Sequence, residues 1–480
     1  MASNLEKNIR KTVTRIINTS AALNRQLKNP LRKHLFLTGI HEPMRDELSI
    51  DKLTVSGEIP AALHGVYARI GPNPFKPDPR GHHWFVGDGM VHGIRLSNGK
   101  AEWYHNRFIR AGTLERKGGP EAAAGPRRGA RDTVNTNVVK LAGKTLALVE
   151  SGPFPFELDA NLDTVQSTDL NGTLTKPFSA HPHKCPKTGE WHAITYEPET
   201  QDKVWHVCID KQGEVVSERA IAVRDGPSIH ECSITDDYVI VFDLPVTLSL
   251  AALTQGFHFP FRWNKNRPAR VGLLPRTGSS DDIVWCDIDP CYVFHVANSV
   301  QHADGSVTID CCAYESMFAH GPDGPNGVPC GLERWHVNPA TQKVTRAAID
   351  ASPQEFPRID ERFFGQPYRH TWTVSQPSEA VSNFVADNAL CHHDLESGVK
   401  RSYTFGAGKV GGEFLFVPKS DDAKEADGWL MGLVIDTHKE TTELQLFDAL
   451  DIEKGPTGAI FIPHRIPPGF HGNWIADSYQ

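Results

Sequence analysis

Apolar residues from Leu53 to the C terminus occur in short runs that are separated by clusters of Gly, Asn, Asp and Pro. Runs rich in β-branched and aromatic residues and bounded by turn formers predict strands, for example at 65–70, 145–149, 238–242 and 307–310. Turn sequences typical of β-hairpins recur at 97–99, 211–213 and 303–305. Long helices do not alternate with these runs, as they would in a parallel α/β sheet. The pattern therefore predicts an all-β fold.

The length of the chain limits the architectures that are possible. At 480 residues it exceeds the limit of about 250–300 for one ordinary hydrophobic core, so it requires several domains or a repetitive architecture. A β-propeller, in which small antiparallel sheets surround an axis, accommodates a long all-β chain and leaves only short sheet edges. No exact repeat is visible in the sequence, so this prediction depends on the β-rich texture alone.

The N-terminal segment has a different pattern. Residues 5–34 predict one or two helices, because apolar and basic residues recur near helical spacing on different faces. Such a helix can lie on an anionic membrane surface or pack on the outside of the body, and its narrow apolar stripe favours packing. We therefore divide the chain into a helical segment, 1–35, and a single propeller domain, 36–480.

One apolar segment, 246–263, fits neither an ordinary surface loop nor a strand. Two interpretations are open: an exposed patch that contacts a ligand or a membrane, or a helical lid buried on the body.

Composition excludes several classes of protein. The net charge of −8 argues against a nucleic-acid partner, and no segment approaches the ~18 apolar residues of a membrane span. The nine cysteines are odd in number and form no Cys-x-x-Cys, which indicates neither a disulfide framework nor a thiolate zinc site. The start of the sequence lacks the layout of a secretory signal, so a cytoplasmic protein is expected.

Four histidines stand out by their surroundings. His181, His230 and His295 lie in apolar, strand-like runs, and His471 lies between prolines and glycines that restrict its backbone. With 23 histidines in the chain, each one alone is better explained as a structural residue. Their separations of 49, 65 and 176 residues correspond to one, one and three blades, if a blade takes roughly 40–50 residues plus insertions. Together they predict one metal held at four strand ends, and imidazole suits iron, copper, zinc and nickel.

Such a site needs negative charge nearby, because four neutral imidazoles do not compensate the charge of an ion. Metal-bound histidines usually donate their second N–H to a carboxylate or a carbonyl. Glu150, Glu355 and Glu413 lie in apolar runs where an unpaired carboxylate would be costly. The alternative, given equal weight, is that they pair with arginines such as Arg358.

Five short motifs resemble those of the carotenoid cleavage oxygenase family. They lie at 69–74 (Arg-Ile-Gly-Pro-Asn-Pro), 85–92, 180–183, 427–429 and 468–472 (Pro-Gly-Phe-His-Gly). The similarity runs in the family's order from about Phe36 to the C terminus. It implies a seven-bladed β-propeller capped by a helical and loop dome, with a non-haem Fe(2+) on the axis. The ligands implied are His181, His230, His295 and His471, and the carboxylates beside them are Glu150, Glu355 and Glu413.

The resemblance also implies the chemistry: a dioxygenase that cleaves a conjugated C=C with O2 and returns two carbonyl products. Thr136 matches the family position beside the site, where its methyl group can block one coordination place. The alternative is a strand threonine that has no contact with the metal.

The substrate is inferred from two positions. Stilbene-cleaving members of the family hold a phenolic hydroxyl with a tyrosine, matched here by Tyr104 in Tyr-His-Asn-Arg, and with a lysine, which Val149 replaces. Loss of the ammonium favours an apolar carotenoid or apocarotenoid, with peripheral membrane contact through 246–263 and the N-terminal helix. Two alternatives are kept, a stilbene-cleaving or phenylpropanoid-cleaving dioxygenase and a non-catalytic propeller binding module, and iron content separates the second from the enzymes.

Overall fold

A computed structural model describes residues 4–129, 131–198, 200–376 and 388–477. Strands dominate these residues, which confirms the all-β prediction. The α-helices are α1 (Asn4–Gln26), α2 (Gly112–Arg116) and α3 (Leu250–Thr254), and the short 3-10 turns are Leu35–Leu37, Gly39–His41, Trp84–Val86, Ser280–Asp282, Glu361–Phe363 and Ile452–Lys454. No helix among the described residues is both long enough and apolar enough to cross a membrane.

The strands follow one another along the whole chain. The first half contains β1 (Ser49–Ile50), β2 (Thr54–Gly57), β3 (Gly65–Pro72), β4 (Gly89–Ser97), β5 (Lys100–Phe108), β6 (Asn137–Leu141), β7 (Lys144–Leu148), β8 (Phe156–Leu158), β9 (Thr164–Ser167), β10 (His183–Lys184), β11 (Trp191–Thr195), β12 (Lys203–Ile209), β13 (Val215–Ala222), β14 (Cys232–Ile234), β15 (Tyr238–Asp243) and β16 (Val246–Leu248). The second half contains β17 (Phe261–Trp263), β18 (Ala269–Pro275), β19 (Val284–Ile288), β20 (Tyr292–Gln301), β21 (Val307–Ser316), β22 (Val328–Asn338), β23 (Lys343–Asp350), β24 (Gln354–Arg358), β25 (His370–Ser375), β26 (Ala389–Asp394), β27 (Val399–Thr404), β28 (Lys409–Pro418), β29 (Gly428–Asp436), β30 (Thr441–Asp448), β31 (Gly458–Ile462) and β32 (Gly472–Ala476).

Neighbouring strands form a series of small, mainly antiparallel sheets. Within the described residues the orders are β1-β5-β4-β3-β32, β6 to β9, β10 to β13, β14-β15-β18-β19-β23-β22-β21-β20, β16-β17, β24 to β27, and β2-β31-β30-β29-β28. The eight-stranded sheet consists of two antiparallel groups that meet at one parallel pairing, Asp287 with Lys343. The result is a propeller-like arrangement.

The two ends of the chain close this arrangement. The last strand, β32, pairs with β3, and β2, near the start of the described strands, pairs with β31. Each end therefore covers an edge that would otherwise expose unpaired backbone N–H and C=O groups.

Burial differs strongly between strands, and this difference shows where the core lies. Every residue of β3 is buried, and so are the first eight residues of β20, whereas the edge strands β13 and β27 are mostly half-buried or exposed. Strands such as β3 and β20 lie in the interior, where a functional side chain is shielded from water.

The hairpin predicted at 97–99 is present between β4 and β5. Asn98 and Gly99 both have positive φ angles, 50° and 72°, as a tight two-residue turn with the twist of the flanking strands requires.

Candidate metal centre

Four separate segments bring the histidines together. His181 and His230 each lie two residues before a strand, β10 and β14, while His471 directly precedes β32 and His295 lies within β20. Their ligand nitrogens lie within 4.8 Å of one another. The Nε2 atom of His295 is 3.1 Å from the Nε2 atoms of both His230 and His471. The ring of His181 lies 4.6 Å from that of His230 and 4.5 Å from that of His471, centroid to centroid.

The backbone of His471 is held on both sides. Its N–H donates to the carbonyl of Thr136 at 3.1 Å, and its carbonyl accepts the N–H of Ile70 at 3.0 Å. The segment beside it approaches β3 so closely that a Cβ on Gly71 would lie 2.4 Å from the Cα of Gly469. The motif at 69–74 and the motif at 468–472 therefore pack on each other, and glycine at both positions permits the approach.

Three carboxylates lie on the far side of the rings. The Nδ1 atom of His295 is 2.6 Å from Oε2 of Glu355, and that of His471 is 3.0 Å from Oε1 of Glu413. His230 makes the same contact with Glu150 through its Nδ1 atom.

Glu413 contacts both of the partners that the sequence analysis offered as alternatives, a histidine of the centre and an arginine. Besides His471, its Oε1 atom lies 3.2 Å from Nη1 of Arg358, and its Oε2 atom accepts the N–H of Gly472 at 3.1 Å. Burial alone would raise the pKa of Glu413, but Arg358 and His471 outweigh burial and hold the pKa well below its usual value. Glu413 is therefore a carboxylate at neutral pH. Glu355 contacts His295 instead of an arginine.

These contacts decide which nitrogens can bind a cation. A carboxylate accepts hydrogen bonds, so Glu150, Glu355 and Glu413 assign the ring protons of their histidines to Nδ1. The Nε2 atoms then carry lone pairs that point at one another across 3.1 Å, which is repulsive unless a cation lies among them. The buried Nε2 of His181 also has no hydrogen-bond partner within the described chain. The donor set therefore fits a divalent transition metal.

A second group with ligand atoms in range, Glu190, His192 and Cys208, does not fit. Arg219 donates to Nδ1 of His206 at 3.1 Å, so His206 carries its proton on Nε2 and donates it to Nδ1 of His192 at 3.0 Å. His192 must then keep its own proton on Nε2, the atom that faces the group. Its pKa is lowered to about 2 by burial and by the neighbouring His206. In addition, Nη2 of Arg276 lies 3.0 Å from Oε2 of Glu190, so this carboxylate already has a cationic partner.

Several contacts of the four-histidine centre were not found by sequence reasoning. The hydroxyls of Tyr196 and Ser228 both donate to Oε1 of Glu150, and the hydroxyl of Tyr314 donates to Glu355 at 3.0 Å. Glu231 accepts the N–H of Val296 at 2.8 Å. Proximity to His230 in the sequence was the available signal for Ser228 and Glu231, whereas no local signal distinguishes the two tyrosines.

A cavity of about 2090 Å³ opens onto the centre. His230, His295 and His471 face it, and so do Thr136 and Val149. Its wall near the histidines is largely aromatic, with Trp84, Phe85, Phe259, Phe294, Phe356 and Phe470. Phe85 makes edge contacts with Phe259 and Phe470 at 5.5 and 5.4 Å between ring centroids. Thr136 donates its hydroxyl to Oδ1 of Asn135 at 2.9 Å. The space is apolar and large enough for a long hydrocarbon.

The structure does not bring Tyr104 to this cavity. Its side chain is fully buried in the apolar cluster between the sheet of β3 to β5 and the sheet of β28 to β31. Its hydroxyl contacts His92 Nδ1 at 2.9 Å and His464 Nε2 at 3.1 Å. The sequence around Tyr104 does not reveal which interior space receives its side chain.

The segment 246–263 combines features of both predicted alternatives. It forms β16, α3 and β17, and Leu248, Leu253, Phe257 and Phe259 line the cavity. Leu250 also lines the cavity and is 56% exposed. Helix α1 packs beside α3, where Asn24 donates to the carbonyl of Thr254 at 2.9 Å. These elements cover the cavity on the side away from the sheets.

The fold and the centre define a class: a propeller-like protein with four converging imidazoles at the floor of an apolar cavity. Comparison with known proteins agrees, since residues 41–476 match the family model described as retinal pigment epithelial membrane protein. The chain belongs to this family, which is that of the carotenoid cleavage oxygenases, and this confirms the resemblance seen in the motifs. A carotenoid cleavage oxygenase of Mycobacterium tuberculosis is 36% identical over 92% of this chain and 97% of its own length.

Two solved structures extend the comparison. Lignostilbene dioxygenase from Pseudomonas brassicacearum has a TM-score of 0.82 at 24% identity, covering 94% of this chain and 100% of that one. This likeness concerns the fold alone. Cobalt-substituted apocarotenoid oxygenase from Synechocystis has a TM-score of 0.77 at 26% identity, covering 91% of this chain and 97% of that one.

Proposed function

We propose that this protein is a non-haem iron dioxygenase that cleaves a conjugated C=C of a carotenoid or an apocarotenoid. One alkene and one O2 give two carbonyl compounds, so both oxygen atoms are retained in products and no external reductant is needed. The observation that carries the proposal is the convergence of the Nε2 atoms of His230, His295 and His471 on the floor of a large apolar cavity.

His181, His230, His295 and His471 would hold Fe(2+), which when bound supplies the electrons that activate dioxygen toward an electron-rich alkene. Glu150, Glu355 and Glu413 keep the ring protons on Nδ1 and place negative charge around the centre. Arg358 offsets part of that charge at Glu413. A cobalt-substituted relative supports a divalent transition metal in this kind of site.

Thr136 has a positional role in the proposal. Its carbonyl accepts the N–H of His471, and its hydroxyl is occupied by Asn135, so the methyl group is the part of the side chain left to limit access to the centre. Val149 beside Glu150 adds a second apolar surface to the cavity.

The shape and chemistry of the cavity support a polyene over a hydroxystilbene. Val149 offers no ammonium to a phenolate, and Tyr104 offers no hydroxyl because it lies in another interior space. The aromatic wall matches the faces of a conjugated hydrocarbon. We therefore assign Tyr104 no part in the reaction.

Membrane contact is part of the same proposal, because a carotenoid is held in lipid. Exposed apolar side chains of α1 and α3, namely Val13, Ile16, Leu23 and Leu250, lie on the elements that cover the cavity. We propose that these side chains contact the membrane from which the substrate is taken.

We also propose that residues 36–480 form one seven-bladed propeller. Support comes from the eight-stranded sheet, whose two antiparallel groups share a single pairing and can be counted as two blades, and from the mutual closure of the chain ends.

The test is aerobic incubation of the iron-loaded protein with an apocarotenal, β-carotene and resveratrol in detergent micelles, with products identified by mass. Two carbonyl fragments labelled from 18O2 are expected from a polyene. Cleavage of resveratrol alone would favour the stilbene-cleaving alternative, and binding without any product would favour a binding module.

A further inference from the structure

Three histidines of the centre belong to strands that are not paired with one another in the part of the chain that the structure describes. Strand β10, which follows His181, lies in one sheet, and β14, which follows His230, lies in another. Strand β20 contains His295 and lies at the opposite end of the strand order from β14. No backbone ladder therefore fixes the distances between these three histidines, which depend on contacts between side chains and neighbouring segments.

Strand β20 is irregular at His295. Its register with β21 shifts between Val293 and Val296 and again between Val296 and Asn298. Such a bulge bends a strand, re-aims a side chain and disrupts the local ladder. The N–H of Val296 donates to Oε2 of Glu231 at 2.8 Å. The backbone that follows one ligand is therefore held by the side chain that follows another.

The other oxygen of Glu231 has a contact of its own. Oε1 lies 2.8 Å from Nε2 of His183, the second residue after His181. The ring of His183 stacks on Phe364, with 4.2 Å between the centroids and 4° between the planes. Glu231 is only 6% exposed, so water competes little with either contact. One carboxylate thus joins the chain segments of three ligands.

A second buried contact joins two of the same strands. Ser299 in β20 donates its hydroxyl to Oγ of Ser233 in β14 at 2.8 Å, and both serines are fully buried. The spacing of β14 and β20 is therefore set by polar side chains at two points. Glu231 is the point nearer to the centre along the chain, since it follows His230 directly.

We propose that Glu231 is a positioning residue, which sets the distances between three of the ligands through its contacts with Val296 and His183. This inference rests on the metal centre of the proposed function. A metal site requires its ligands to be held within about 0.5 Å, and the side chains behind the ligands supply that precision. The positioning role requires the length of the glutamate side chain, because the carboxylate must reach Val296. A purely electrostatic role would require only its charge.

Two variants separate length from charge, with cobalt(2+) as the probe. Glu231→Asp keeps the charge but shortens the side chain by one C–C bond of roughly 1.5 Å, which withdraws the carboxylate from Val296. Glu231→Gln keeps the length and an oxygen that can accept the N–H of Val296. Glu231→Asp should weaken cobalt binding about tenfold, measured by competition with a chelator, and should shift the visible absorption of bound cobalt. Glu231→Gln should stay close to the wild type in both measurements.

The matched control is Glu333→Asp. Glu333 is also buried, has Nε of Arg346 2.8 Å from its Oε2 atom, and lies in β22, two strands away from β20 in the sheet. This variant should lower the temperature of thermal unfolding and leave the affinity for cobalt and its absorption unchanged. An equal loss of cobalt affinity in Glu333→Asp and Glu231→Asp would mean that general destabilisation explains both, and the positioning role would be wrong.

Hydrogen exchange of the peptide 292–301, measured without metal, tests the contact itself and should be faster in Glu231→Asp than in Glu231→Gln. A larger loss of cobalt affinity in Glu231→Gln than in Glu231→Asp would show that charge matters and length does not, which would overturn the inference. Wild-type affinity and absorption in both variants would also overturn it. A wild type that binds cobalt but cleaves no polyene when loaded with iron would contradict the proposed function alone, whereas a wild type that binds no cobalt would overturn both.

Discussion

The four-histidine centre and the group of Glu190, His192 and Cys208 contain similar donor atoms but differ in what contacts the far side of each imidazole. In the first, carboxylates accept from Nδ1 and leave the lone pairs of Nε2 facing inward. In the second, the donors of Arg219 act through His206 and leave a proton on Nε2 of His192. Proximity of ligand atoms is therefore insufficient, because the outer contacts decide whether an imidazole has a lone pair to offer.

The largest expected effect tests this difference directly. Replacing His230 or His471 by Ala should remove most of the bound iron and all detectable cleavage, because each supplies one of the converging nitrogens. The matched control is His192→Ala, which should retain about one iron per chain because Nε2 of His192 carries a proton and offers no lone pair. Metal content of the purified proteins is measured by atomic emission, and retention of full iron in His230→Ala would contradict the assignment.

Removing the outer carboxylates should have the next largest effect. Glu150→Gln, Glu355→Gln and Glu413→Gln keep the shape of the side chain but replace a charged acceptor with an amide, so each should weaken iron binding or activity by ~10–100-fold. Iron affinity is measured by competition with a chelator, and thermal unfolding checks that the fold persists. Glu190→Gln is the control from the second group. Unchanged affinity in all three variants would remove these glutamates from the proposal.

A cation placed beside the four-histidine centre should pair with one of its carboxylates, as happens in the group of Glu190, His192 and Cys208. Val149→Lys introduces an ammonium next to Glu150, in the way that Arg276 lies against Glu190. Polyene turnover should fall about tenfold, because a charge enters an apolar wall and competes with His230 for Glu150. Turnover of an apocarotenal and of resveratrol is compared in the wild type and the variant. A wild type with the higher kcat/KM for resveratrol would contradict the polyene preference.

The smallest expected effect concerns one hydrogen bond to the outer carboxylate. Tyr196→Phe removes the hydroxyl that donates to Glu150 and leaves Ser228 as the remaining hydroxyl donor. A hydrogen bond to a charged group contributes about 1.5–3 kcal/mol, but Ser228 still donates to the same oxygen, so iron binding should weaken by a smaller factor than in Glu150→Gln. Tyr238→Phe, at a half-buried tyrosine that begins β15, is the control. A loss as large as that of Glu150→Gln would mean that the tyrosine itself holds the carboxylate in place.

Local pattern in the sequence was sufficient for the class of fold and for the candidate side chains of the centre. Alternation and turn formers predict strands because successive side chains point to opposite faces, and this information is local. The stiff surroundings of His471 and the apolar runs around Glu150, Glu355 and Glu413 are local as well. The five motifs at 69–74, 85–92, 180–183, 427–429 and 468–472 supplied the family, which the comparisons confirm.

The tertiary structure decided how those side chains are combined. Glu413 contacts both His471 and Arg358, and Tyr104 is buried away from the cavity although its sequence context suggested a substrate contact. Burial can be inferred from periodicity, but the partner across an interface depends on how whole sheets pack, and that is a property of contacts between residues distant in the chain.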